Sequence, residues 1–232
     1  MTQALTDVEF LIYSSHKTST QSLYHTLKTN SHKTIVCHSI SHLNMTSLQF
    51  VDKLVEYKTI HGKPLKIISV VRKPTERLIS SFFQSFCCDE IRIDKPSSQT
   101  TVGQLNVPAL CELYRTLITT ERLPCAQESI DELSSVIGIN VISQLVRMED
   151  YYYCVHELFE LYVLDFKVLI SDNMLSYLNN ILGLNLTIVK KHNMSANKHR
   201  YYRKYVDAKK IIGTTLDGII EPQYSSFYFL AF

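Results

Sequence analysis

The chain has 232 residues, 45% of them hydrophobic and 20% charged, with a formal net charge of +2. That balance excludes a disordered tail, a collagen-like repeat and a disulfide-stapled miniprotein, and the length predicts one domain, 1–232, with a sizeable core. No apolar run reaches the ~18 residues of a membrane span, and Met1 to Phe10 lacks both the basic start and the long apolar stretch of a signal peptide, so the expectation is a cytoplasmic protein with no integral membrane contact.

Val8 to Tyr13 is a short apolar run without helical period and predicts a buried strand. Ser14 to Thr20 is a polar loop. Thr20 to Lys28 predicts a helix, with Leu23 and Leu27 four apart on one face. Thr34 to His38 is a second strand. Ser47 to Ile60 is helical, with Leu48, Val51, Leu54 and Val55 as its apolar stripe and Gly62 and Pro64 as its stop. Lys66 to Val71 is the clearest strand, and Pro74 opens a helix whose apolar face is Leu78, Ile79, Phe82, Phe83 and Phe86.

The alternation of strand and helix over residues 1–87 implies a parallel sheet with right-handed crossovers. Asp89 to Pro108 predicts a long loop or lid. Pro108 to Thr120, Glu128 to Val136, Met174 to Leu182 and Tyr201 to Ile211 read as helices, and Phe166 to Ile170 as a strand. Tyr224 to Phe232 is aromatic and apolar and is expected to dock on the body.

The six cysteines form no Cys-x-x-Cys pair and keep no zinc-finger spacing from a histidine pair, so buried, reduced thiols are expected and no metal site. Glycine is sparse, and the first is Gly62. A Gly-x-Gly-x-x-Gly dinucleotide turn and a Gly-x-x-x-x-Gly-Lys-Ser/Thr phosphate loop are therefore both absent. Lys190 to Lys210 holds 8 of the 24 basic side chains and one acid, a local +7 that leaves −5 for the rest. Such a tract suits a solvated helix face, an anionic ligand, a glycan or a nucleic acid.

Two motifs carry chemistry. In the first, a strand ending at Tyr13 runs through Ser14-Ser15-His16-Lys17-Thr18-Ser19 into a helix opening Thr20-Gln21-Ser22. A helix start presents N–H groups and a favourable dipole to an anion, and Lys17 adds a full charge beside four hydroxyls. The plainer alternative is a polar loop with an ordinary Ser/Thr cap. In the second, Arg72 follows a central strand, at the end where open α/β sheets bind ligands, and Ser80 lies eight residues on. Arg72 as a structural cap or ion pair is the alternative there.

Taken together, strand–Lys-Thr-x-Thr–helix and strand–Arg-x-Pro-x-x-Arg-x-x-Ser-Ser-Phe resemble the sulfotransferase superfamily. Asp131 to Val141, Asn197 to Tyr202 and Tyr224 to Tyr228 resemble stretches of a sulfotransferase-like capsular polysaccharide synthesis family. The resemblance implies an α/β, three-layer P-loop-like fold: a central parallel sheet flanked by helices, with a helical C-terminal part. Residues 1–87 would form the nucleotide-binding core, 88–127 a lid and acceptor region, and 128–232 the helical completion.

The resemblance also implies 3′-phosphoadenosine 5′-phosphosulfate as co-substrate, with no metal. His16, Lys17, Thr18, Ser19, Thr20, Gln21 and Ser22 would surround the 5′-phosphosulfate, and Arg72 and Ser80 would hold the 3′-phosphate. Lys17 would stabilise the leaving oxygen. A histidine suits the general base for an acceptor hydroxyl. His38 stands ahead of His42 for that role, both lying at or past the second strand's end. The acceptor would be a carbohydrate, with no nucleic acid partner.

The chain departs from the family pattern at two positions: His16 replaces Pro, and Ser19 replaces Gly. Glycine takes φ > 0 freely and lets a backbone approach phosphate closely. Two readings therefore stay open, an active sulfotransferase and a catalytically inactive nucleotide- or glycan-binding relative. A nucleotide kinase and a nucleic-acid binder using the basic tract are further alternatives.

Overall fold

The computed structural model describes residues 4–15, 18–73, 76, 77, 80, 108, 109, 111, 112, 116, 129–190, 207 and 210. The chain divides into two compact units, Met1–Arg72 with Ala126–Asn193 and Phe227–Phe232 in one, and Lys73–Cys125 with Met194–Ser226 in the other. The first unit is an α/β sheet structure. Its elements are β1 Phe10–Tyr13, α1 Thr20–Thr29, β2 Thr34–Cys37, α2 Ser47–His61, β3 Leu65–Val71, α3 Ser129–Ile137, β4 Val146–Arg147, β5 Tyr151–Val155, β6 Phe159–Asp165, α4 Phe166–Ile170 and α5 Met174–Leu182.

The sheet order is β2-β1-β3-β6-β5-β4. The four strands β2, β1, β3 and β6 run parallel, while β5 runs antiparallel to both its neighbours, β6 and β4. The sheet is thus mixed, and the parallel sheet expected from the alternation is its first part. Every residue of β1 is buried and almost every residue of β3, as a parallel strand covered on both faces requires.

Successive residues of a strand face opposite sides. Phe10, Ile12, Ile68, Val70 and Leu164 pack with Leu23 and Leu27 of α1 and with Met174, Leu178 and Leu182 of α5. On the other face, Leu11, Tyr13, Ile67, Val71 and Leu161 pack with Phe50, Leu54 and Tyr57 of α2 and Leu133 of α3. The result is three layers, with the core split in two by the sheet.

The path β1–α1–β2 moves to one side of β1, and β2–α2–β3 crosses back to the other. Right-handed crossovers in opposite directions place α1 and α2 on opposite faces. The carboxyl ends of β1 and β3 therefore flank the point where strand order reverses, which is where open α/β sheets leave a ligand crevice.

Local signals fix the helix ends. The Thr46 hydroxyl accepts from the Gln49 N–H at 3.3 Å and the Gln49 side chain accepts from the Thr46 N–H at 2.8 Å, a reciprocal cap on α2. Gly62 and Gly183 end α2 and α5 in the left-handed conformation, with φ of 66° and 65°.

Three expectations need correction. The buried stripe of α2 is Phe50, Leu54 and Tyr57, while Leu48 and Val55 are 79% and 46% exposed. Two aromatics with Leu54 bury more apolar area than the aliphatic stripe would. Phe166–Ile170 is a helix and not a strand, because Asp165 caps it by accepting from the Lys167 N–H at 2.8 Å. Residues 146–165 form three strands, so the part expected to be a helical completion instead supplies half of the sheet.

The helix from Pro74 is represented among the described residues by Glu76, Arg77 and Ser80, all helical. In the segment expected to be helical from Pro108, the described residues 108, 109, 111, 112 and 116 are helical, as are Asp207 and Lys210 in the basic tract. The lid expected over Asp89 to Pro108 (but for its last residue) and the Tyr224–Phe232 end lie outside the described residues. No helix among the described residues is long and apolar enough to cross a membrane.

Candidate functional site

Hydroxyl side chains gather at the carboxyl end of β1. Ser14, Ser15, Thr18, Thr20 and Ser22 are all buried, and such residues are mostly exposed in folded proteins. Ser14 organises them. Its Oγ donates to the Val70 carbonyl at 2.8 Å and accepts from the Val70 N–H at 3.1 Å. Backbone pairing of β1 with β3 stops at Ile12 and Ile68, so this side chain takes over the ladder two residues further on.

The Ser14 Oγ also lies 2.8 Å from the Thr18 Oγ1, which donates to the Ser15 carbonyl at 2.7 Å. The loop is thereby tied back onto the strand it leaves. The Ser14 N–H donates to the Cys37 carbonyl at 3.2 Å, joining β2 to the same point. Sequence reasoning did not single out Ser14; its place as the first polar residue behind four apolar ones is the signal it gives.

Ser19 follows as the cap of α1, in the left-handed conformation with φ 61° and ψ 22°. Its side chain makes no cap hydrogen bond, and its carbonyl accepts from the Leu23 N–H at 3.2 Å. The position where the resembling family places glycine is thus one whose backbone favours glycine. A left-handed turn into a helix start directs successive N–H groups toward one concavity, the form that cradles anions. Thr20, Gln21 and Ser22 form the first turn of this ten-residue helix.

Arg72 directly follows β3, two residues beyond the Val70 that Ser14 binds, or about 7 Å along the strand. Its guanidinium stacks on Phe166 of α4, 4.2 Å from the ring centroid, which orients it by a cation–π contact.

His38 directly follows β2 and is half-buried. Its Nδ1 is 2.6 Å from the Ser14 carbonyl. A carbonyl only accepts, so Nδ1 carries the proton and the ring's basic lone pair is on Nε2. Burial lowers the His38 pKa, the hydrogen bond to Ser14 opposes that, and neighbouring His42 adds to the lowering. His42 lies on the turn Ile40–Leu43, exposed, with its ring 5.9 Å from that of His38 at 83°.

On the opposite face, the Tyr13 hydroxyl donates to the Glu132 carboxylate of α3. Burial and that carboxylate both raise the pKa values of Tyr13 and Cys37, so the phenol and the thiol keep their protons. Cys37, Cys111 and Cys154 are all buried, and none forms a disulfide among the described residues.

The first unit therefore brings together Thr18, Ser19, Thr20, Gln21, Ser22 and His38, with Arg72 beside them at the next strand end. Ser80 belongs to the second unit, where the Arg77 N–H donates to the Lys73 carbonyl at 3.0 Å. His16 and Lys17 lie outside the described residues. Among the described residues no group of three His, Cys, Asp or Glu side chains is placed to hold a metal ion. No family model, curated protein or solved structure matches the chain.

Proposed function

We propose that this chain is a sulfotransferase, moving a sulfuryl group from 3′-phosphoadenosine 5′-phosphosulfate to a hydroxyl of a carbohydrate. The observation that carries the reading is Ser19: a left-handed residue opening a ten-residue helix, beside the point where strand order reverses. That geometry suits an anionic group held by backbone N–H groups. The sequence likeness supplies the sulfuryl donor.

Transfer is in line. The bond from the acceptor oxygen to sulfur forms as the bond from sulfur to the bridging phosphate oxygen breaks, and charge grows on that oxygen. Lys17 stabilises it. The acceptor proton passes to the Nε2 of His38, whose Nδ1–H is held by the Ser14 carbonyl. A lowered pKa keeps this imidazole neutral, and therefore basic, at neutral pH. His42 is the second candidate base. Arg72 holds the 3′-phosphate, and Thr18, Ser19, Thr20, Gln21 and Ser22 surround the 5′ group with His16.

Titration of 3′-phosphoadenosine 5′-phosphate by calorimetry tests this. Saturable binding is expected, weakened at least tenfold in Arg72→Ala, or about 1.4 kcal/mol. A Phe166→Leu variant serves as control for the lost ring contact. No binding by the folded parent sinks the reading. The Cβ of Ser19 favours a second reading, a non-catalytic nucleotide- or glycan-binding relative. Under it, Lys17→Ala leaves the biological role intact, whereas an enzyme loses turnover.

A further inference from the structure

A cleft on the first unit lies apart from the residues just discussed. Its polar lining is Asp150, Lys167, Ser171, Asn173, Ser176 and Asn180, beside Tyr177 and Val168. Its volume of about 750 Å³ falls in the range of roughly 300–1,000 Å³ that small-ligand sites occupy. Ser176 and Asn180 lie four apart on the exposed face of α5, with Asn173 as its exposed cap, while Tyr177 is buried with Met174, Leu178 and Leu182.

The walls are fixed by their own bonds. The Tyr177 hydroxyl donates to the Asp150 carbonyl at 2.6 Å, joining α5 to the start of β5. The Ser171 Oγ donates to the Val168 carbonyl at 2.7 Å and accepts from the Asn173 N–H at 3.3 Å. Among the described residues, the side chains of Asn173, Ser176 and Asn180 engage no protein partner.

The chemistry of the polar lining is that of polyol recognition. Two carboxamides each donate and accept, hydroxyls do the same, and one carboxylate is balanced by one ammonium. An anion would meet Asp150 and a cation Lys167, whereas a neutral ligand rich in hydroxyls meets matched donors and acceptors. The cleft also sits at the end of the sheet used by the candidate site. Asp165 is in register with Val71, and α4 starts at Phe166, the ring on which Arg72 stacks.

We propose that this cleft is a saccharide-binding subsite that holds the acceptor chain; its link to transfer rests on the function proposed above. The test is a titration of cellobiose, lactose and maltose into the full chain, followed by two-dimensional amide NMR, with glycerol as control. One of the disaccharides is expected to give saturable shifts centred on Ser171, Asn173, Ser176 and Asn180. Asn173→Ala/Asn180→Ala is expected to weaken that binding at least tenfold. Asn173 makes no side-chain cap bond, so the pair leaves α5 intact.

No saturable shift with any disaccharide overturns the proposal, as does an equal response to glycerol or an unchanged affinity in the double variant. The same samples are titrated with 3′-phosphoadenosine 5′-phosphate. Nucleotide binding without saccharide binding removes the subsite alone. Saccharide binding without nucleotide binding keeps the subsite and removes the sulfotransferase reading.

Discussion

The two halves of the sheet are held by different means. In the β2-β1-β3 half, the carboxyl ends are joined by a buried serine that bonds β3, the following loop and the β2 end at once. In the β6-β5 half, aromatic rings do the joining: Tyr162 packs on Tyr153 at 4.9 Å and on Tyr151 at 6.2 Å. Ring packing tolerates small displacements, whereas a buried hydroxyl between three backbone or hydroxyl partners does not. Rigid polar anchoring is thus spent where the candidate chemistry is, and adaptable apolar packing elsewhere.

That contrast can be broken by substitution. The largest effect is expected on transfer: His38→Ala should lower kcat by about 10²–10⁴-fold, the range for loss of a general base. In the parent the acid limb of kcat/KM should fall below the ordinary histidine value, since burial lowers this pKa, and activity should drop as pH falls through it. An acid limb that is kept in His42→Ala, moved toward the ordinary histidine value by loss of that neighbour, but absent in His38→Ala assigns the base. The reverse pattern moves the role to His42.

Ser14→Ala comes next. It leaves the buried Val70 N–H and carbonyl without their partner, which should cost about 1–3 kcal/mol in urea unfolding. Tyr162→Phe in the other half removes a bond of 3.0 Å to the half-buried Glu160 and should cost less, about 0.5–1.5 kcal/mol. Equal losses would erase the distinction between the halves.

Of a size with the Tyr162 change is that at Ser19. Replacing it by glycine relieves a left-handed residue and should add about 1 kcal/mol of stability, while Gly62→Ala, at φ 66°, should lose a similar amount. Loss of stability in Ser19→Gly would mean that the loop needs the serine side chain itself.

Much of the first half is legible in the sequence. Leu23 and Leu27, or the unbroken run from Lys66 to Val71, each carry a period that only one element satisfies. The second half is harder to read. Tyr152 and Cys154 face one core cluster while Tyr151 and Tyr153 pack against the other, so apolar residues occupy both faces and no alternation remains. Phe166 to Ile170 has a strand-like composition, and only the cap from Asp165 and the burial of Leu169 make it helical. At the candidate site, Thr18, Ser19 and Arg72 are visible as motif residues. Ser14 is not, because its role depends on Val70, 56 residues away, and no local pattern encodes that pairing.

The pairing of β3 with β6 has a consequence for the chain as it is made. Leu65 meets Phe159 across 94 residues. The strand β3 is complete on the ribosome well before its second neighbour exists, and synthesis at roughly 5–20 residues per second leaves that interval at about 5–20 s. During it, a run of seven mostly buried residues, Leu65–Val71, presents one unpaired edge. Slowing translation over residues 73–158 should lengthen the period in which this edge stays open to pairing with another chain.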